Sequence, residues 1–284
     1  MRNTCRYLLA NLKDFDPAKD AVTVEQMLPI DQWIIDQASQ LQQNIVQNYA
    51  DYQFHQIYQD LHGFCSIQLG AFYLDVLKDR VYTLKHDALA RRSGQTAMLY
   101  VLEGLVRWMA PILSFTADEI WTFMPARVTP SPLFETWFDG LVALPEAAAI
   151  DAAGWQTLLA VRDAVQKLLE PMRREKLIGS GLEAEIDLYL GADELGLFER
   201  SAAELRFLLL VSEVRIHAAA APAHATHVER EGLRFALSAT ATSNAKCARC
   251  WHQRPDVGVI AAHPTICGRC VENVDGSGEQ RVWF

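Results

Sequence analysis

The sequence predicts a mainly α protein: a helical bundle, then a small α+β domain, then a C-terminal zinc ribbon. Three observations predict it. Apolar residues early in the chain recur at spacings of three and four, as in Met98, Val101, Leu102, Leu105, Met109 and Ile112, the period of one helix face. The stretch "EAEIDLYL" alternates apolar and polar residues, as a half-buried strand does. Four cysteines then follow as C-x2-C-x16-C-x2-C, within the spacing of zinc ribbons.

Each element follows in order. Within residues 1–124, "PIDQWIIDQASQLQQNIVQNY" opens a helix with Asp31 as N-cap and with Ile30 and Ile35 spaced as a hydrophobic staple. "FTADEIWTFMP" carries the pattern of a capping box, Thr116 with Glu119, and of a staple from Phe115 to Ile120, and Pro125 marks its end. Residues 125–150 begin "PARVTPSPL", whose prolines read as a connection. Residues 151–240 form the α+β domain: a helix from Ala152 to Glu170, the turn "LIGSG", the strand above, the helical "SAAELRFLL", and the strands "LVSEVRIH" and "GLRFALSA". "AAAAPAHATH" and "ATATSNA" read as loops, the second tethering the ribbon of residues 241–284. No internal repeat is visible.

Composition bounds what such a chain can do. It has 284 residues, 50% of them hydrophobic, and a formal net charge of −9. That is material for about two domains with a real core, and the acidic balance argues against a basic coat for indiscriminate nucleic-acid binding. The most apolar run, "LVRWMAPILSF", is interrupted by Arg107 and falls short of the roughly 18 residues a membrane span requires. "MRNTCRYLLANL" is too polar at its flanks for a signal peptide. The expectation is a soluble cytoplasmic protein with no membrane partner, in which Cys5 and Cys65 are buried, inert thiols.

The paired cysteines are Cys247, Cys250, Cys267 and Cys270. Four thiolates match a tetrahedral zinc at about 2.3 Å and leave no vacancy for water, so one structural zinc is expected. A reducing compartment disfavours the alternative of two disulfides. Gly268 is expected to ease the second turn. With the metal saturated, His252 falls outside the ligand set. Trp251 has two readings: it caps the ribbon by packing, which residue chemistry alone favours, or it stands exposed beside Arg249 as a platform for an unpaired base.

Charge gathers locally. Between Lys78 and Arg92, five basic residues including Arg80, Arg91 and Arg92 face two acidic ones, and from Arg162 to Lys176 five face three. Each run alone is a solvated helix face; together they raise a polyanion-facing surface. Catalytic patterns do not emerge: there is no phosphate-binding glycine loop and no nucleophile elbow, and His62 with Cys65 is a weak pair.

"RNTCRYLLANL", "FYLDVLKDRVYT", "RWMAPILSFTADEIW", "EKLIGSGLEAEI" and "KCARCWH…ICGRC" resemble, in that order, the C-terminal part of the bacterial isoleucyl-tRNA synthetase family. The likeness covers essentially the whole chain. It implies an anticodon-binding bundle, a junction domain and a zinc tail that help hold the anticodon stem-loop of isoleucine tRNA. The "HIGH" and "KMSKS" signatures that serve ATP, with magnesium, in that family's catalytic domain are absent here. The resemblance therefore implies a piece of a larger isoleucine–tRNA ligase, with an N-terminal catalytic domain as partner and no catalytic residue of its own. Carried over by position, the four paired cysteines match the zinc ligands. Arg2 and Asn3 match the motif opening the bundle, Lys176 the basic residue before "IGS", and Trp251 the aromatic after the knuckle. Candidate RNA contacts are thus Arg2, Asn3, Arg80, Arg91, Arg92, Lys176, Arg249, Trp251 and His252. Two other classes stay open: a DNA-binding module, since a similar ribbon ends DNA-repair glycosylases, and a purely structural staple.

Overall fold

A computed structural model describes residues 1–125, 127–230 and 232–284; Ala126, in the expected connection, lies outside them. The chain separates into two units, Met1–Ala149 and Ile150–Phe284. As expected, it is mainly helical, with one small sheet and a C-terminal cysteine cluster.

The first unit holds α1 (Arg2–Asn11), α2 (Pro17–Asp20), α3 (Pro29–Ala50), α4 (Phe54–Gly63), a π-helix over Phe64–Tyr73, α5 (Leu74–Thr83), α6 (Leu89–Met109) and α7 (Ser114–Trp121). Helix α6 is buried on nearly every side, the signature of a central helix, and α1, α3, α5 and α7 pack around it. Its buried polar side chains are matched. Ser93 Oγ accepts the Leu28 N–H at 2.9 Å and donates to Asp31. Gln95 donates to the Asn11 carbonyl and to Asp14. The connection is tied down as well: Trp121 donates to the Thr129 carbonyl, Gln42 to the Phe138 carbonyl, and Arg107 pairs with Glu135.

Two helix starts differ from expectation. Pro29 occupies the first position of α3 and Leu28 is its N-cap, so Asp31 is the third helical residue, inside the first turn. There it is wholly buried and receives Arg80 through two bonds of 2.6 and 2.8 Å and the Tyr73 hydroxyl at 2.7 Å. An aspartate in a first turn suits a cap and a buried ion pair equally, and the pair wins because Arg80 lies opposite. Helix α7 begins at Ser114, ahead of Thr116, and Phe115 is 95% exposed instead of stapled. Glu119 turns to Arg2.

The second unit holds α8 (Ala152–Arg174), β1 (Ala184–Leu190), α9 (Ala192–Ser201), α10 (Leu205–Leu209), β2 (Glu213–His217), β3 (Thr226–Arg230), β4 (Leu233–Ala241) and α11 (Gly268–Val274). The strand order is β2-β1-β4-β3, with β1 and β2 parallel and the other pairs antiparallel. Ala184, Ile186, Leu188 and Leu190 of β1 are buried, and α8 lays Trp155, Leu158, Val161, Val165 and Leu169 against β4 and α10. Strand β3 begins inside the stretch read as a loop. Its side chains are mostly exposed, so no alternation announces it; backbone pairing with β4 alone makes this edge strand.

Candidate metal centre and nucleic-acid interface

Between Lys246 and Gln253 the chain folds back on itself across an antiparallel bridge. Inside it the Cys247 N–H donates to the His252 carbonyl at 2.9 Å and the Trp251 N–H to the Cys247 carbonyl at 3.0 Å. Closing so tight a turn forces Trp251 into the left-handed region, φ 67°, which a bulky residue rarely occupies. The second knuckle opens α11, with Cys267 as its N-cap. Gly268 is needed there for a reason other than turn freedom. Its N–H bonds Asp256 Oδ2 at 2.8 Å, and a Cβ would lie 2.9 Å from that same oxygen.

The two knuckles bring four buried sulfurs within 4.8 Å of one another. Cys247 and Cys270 sulfurs are 3.7 Å apart, and those of Cys250 and Cys267 3.8 Å. A tetrahedron with metal–sulfur bonds of about 2.3 Å has edges of about 3.8 Å, so the site fits one zinc held by four thiolates. Sulfur–sulfur hydrogen bonds from Cys250, then Cys270, pull the Cys267 thiol down to about 4. Hydrogen bonds to Cys250 and Cys267 push the Cys270 thiol up. Each thiol must lose its proton to become a zinc ligand, so metal binding releases protons here. Val257 and Ile266 cover it, which leaves a structural role.

The ribbon is fastened to the sheet. Gln253 N–H donates to Ser212 Oγ at 2.7 Å, Arg254 to the Ser212 carbonyl at 3.0 Å and to Glu213, and Asn244 to Glu185 at 3.2 Å.

This anchored turn separates the two residues after the first knuckle. Trp251 points outward, 61% exposed, with Lys246 Nζ 5.2 Å from its ring centre. His252 points inward, 4% exposed, its ring edge-on to Phe207 at 5.4 Å. The expectation of His252 as an RNA contact is therefore corrected: the left-handed backbone at Trp251 turns the indole outward and carries the next side chain inward.

The other expected contacts divide similarly. Arg80 is wholly buried against Asp31, and Arg92 is buried against Gln95, Asp20 and the Asp14 carbonyl; neither offers a surface to RNA. Arg91 is mostly covered and bound to Asp14 at 2.8 Å. The basic run from Lys78 to Arg92 is thus largely the inner wiring of the bundle. Arg2 is exposed and paired with Glu119, and Asn3 is exposed. Lys176 and Arg249 are exposed, Lys176 at φ 60°. Sequence reasoning missed Lys246, although its place immediately before Cys247 was a signal, and Asp256, which no motif marks.

Residues 31–188 match the family described as "Anticodon-binding domain of tRNA ligase", and residues 245–273 match "Zinc finger found in FPG and IleRS". The chain is 52% identical over 283 residues to an isoleucine–tRNA ligase of Thioalkalivibrio sulfidiphilus, covering 99% of this chain and 30% of that protein. It is 51% identical to that of Alkalilimnicola ehrlichii, with coverage of 99% and 30%. For Xylella fastidiosa the identity is 48%, with coverage of 100% and 29%. The chain spans about 30% of the length of these curated relatives. Among the described residues no helix is long and apolar enough to cross a membrane.

Proposed function

We propose that this chain, which belongs to the family of anticodon-binding domains of tRNA ligases, grips the anticodon stem-loop of isoleucine tRNA as the C-terminal portion of an isoleucine–tRNA ligase. The observation that carries this reading is the exposed indole of Trp251, held in a left-handed turn by a zinc-braced knuckle. A rigid aromatic beside Arg249 and Lys246 combines the stacking face and the charge that an unpaired base and its phosphate require. Lys176, Arg2 and Asn3 are proposed as further contacts on their exposure. Activation of isoleucine with ATP and magnesium would belong to the part of the relatives that this chain does not span, and the work would be cytoplasmic.

The test is indole fluorescence in a variant keeping Trp251 as its only tryptophan, titrated with the anticodon stem-loop. Stacking is worth about 1–3 kcal/mol per base, so Trp251→Ala loses roughly five- to 150-fold in affinity, with zinc content and melting little changed. An unquenched indole, or a clear drop in melting on truncation, would return Trp251 to packing. Because the matching zinc finger is also one found in FPG, duplex DNA is the necessary second arm. Preferential binding of duplex DNA would replace the tRNA reading.

A further inference from the structure

One ring in the second unit gathers an unusual company. Phe207 of α10 has the guanidinium carbons of Arg281, Arg206 and Arg269 at 3.2, 4.7 and 5.0 Å from its ring centre. No two of these charges are then more than about 10 Å apart, close enough to repel. Arg269 lies between the cysteines of the second knuckle and Arg254 just beyond the first, so the fold of the ribbon sets where both stand.

The neighbouring carboxylates are already engaged. Glu213 takes Arg254, and Glu279 takes Arg269 at 2.8 Å and Arg281 at 3.3 Å. Glu204, next to Arg206 in sequence, accepts the N–H groups of Val282, Trp283 and Phe284 at 2.8 to 2.9 Å. Among the described residues, no carboxylate lies within ion-pair distance of Arg206, which is half-buried and keeps contact with solvent. A guanidinium held among like charges at the cost of repulsion is the arrangement of an oxyanion site.

We infer that Arg206, backed by Arg254 and Arg269, binds a phosphate group where the zinc ribbon meets α10. A guanidinium presents paired N–H donors that fit two phosphate oxygens, and the surrounding positive charges strengthen the bond. The field is already felt: burial, then repulsion from Arg254, Arg269 and Arg281, lowers the Arg206 pKa. Stacking on Phe207 fixes the fork in one orientation. The phosphate has two possible sources, an RNA backbone or free inorganic phosphate. Its identification with RNA rests on the tRNA reading above; the anion site does not.

Two measurements on the zinc-loaded chain separate these sources. The first titrates inorganic phosphate at constant ionic strength and follows the Arg206 side-chain N–H resonance, assigned by its loss in Arg206→Gln. The second measures the salt dependence of stem-loop binding for the natural chain and for Arg206→Gln and Arg206→Lys. Zinc content verifies that each variant is folded. A saturable resonance shift, with a log–log slope smaller by about 0.7 to 0.9 in Arg206→Gln and partial recovery in Arg206→Lys, establishes an RNA phosphate. A shift with an unchanged slope establishes a site for free phosphate. A shift in a chain that binds no RNA at all keeps the site and removes the tRNA reading. No saturable shift together with an unchanged slope overturns the inference.

Discussion

Replacing Arg80 with Met sets a structural role against an RNA-binding one in a single experiment. The guanidinium gives two bonds to Asp31, at 2.8 and 2.6 Å, and one to the Ala90 carbonyl at 3.1 Å. Without it, Asp31 remains wholly buried and, among the described residues, only the Tyr73 and Ser93 hydroxyls face its charge. Tyr73 stays a proton donor, because burial and then Asp31 push its pKa well up. Removing one partner of a buried ion pair costs about 3–5 kcal/mol, mostly for the charge left behind. For a unit of the size of Met1–Ala149 each kcal/mol moves the melting point by roughly 2–4 °C, so Tm falls by about 10 °C. Adding Asp31→Leu should recover most of the loss, since exchanging a whole buried pair for apolar residues is often near neutral. Thermal and urea unfolding read both effects. A Tm shift smaller than about 3 °C, or weakened stem-loop binding at unchanged Tm, would refute the reasoning and restore Arg80 as an RNA contact.

Three further outcomes are expected. Cys250→Ser should lose the zinc, about one per chain in the natural protein, and loosen the second unit while the first unfolds as before; unchanged zinc by elemental analysis would end the assignment. Trp251→Gly should hold zinc at least as firmly, because glycine removes a left-handed penalty of about 1–2 kcal/mol, while stem-loop affinity drops; faster zinc release to a chelator would contradict this. Glu204→Leu leaves the amides of Val282, Trp283 and Phe284 without their acceptor, a cost of about 1–3 kcal/mol for each donor left buried. Their hydrogen exchange, slow in the natural chain, should become fast; unaltered protection would mean the tail is held by packing of Phe284 alone.

The sequence made some layers legible and hid others for definite reasons. Helix periodicity in α6, strand alternation in β1 and the cysteine spacing are local signals, written by contiguous residues, and all three reappear in the structure. The capping reading of Asp31 failed because its partner, Arg80, lies 49 positions away, beyond any local pattern. Separation in sequence also hid the arginines around Phe207: Arg206, Arg269 and Arg281 stand in three separate stretches and meet only in the folded chain. For Trp251 and His252 the sequence names the residues but not their directions. A single positive φ sends the indole to solvent and the imidazole to the core.

The π-helix of Phe64–Tyr73 has a consequence for how this gene can vary. It delivers Tyr73 and Arg80 to Asp31 from a segment that runs on directly from α4. Each residue of an α-helix advances the rotation by about 100°, so the wider winding acts as a phase setter for everything after it. Residues in the wider winding each turn by less than that, so the segment holds more residues than an α-helix would need for the same rotation. A deletion that let the ladder tighten to an ordinary helix would restore much of the rotation it removed, and Arg80 would keep its bearing on Asp31. An insertion would find no such reserve, so the length of this segment is free to shrink in a way that it is not free to grow.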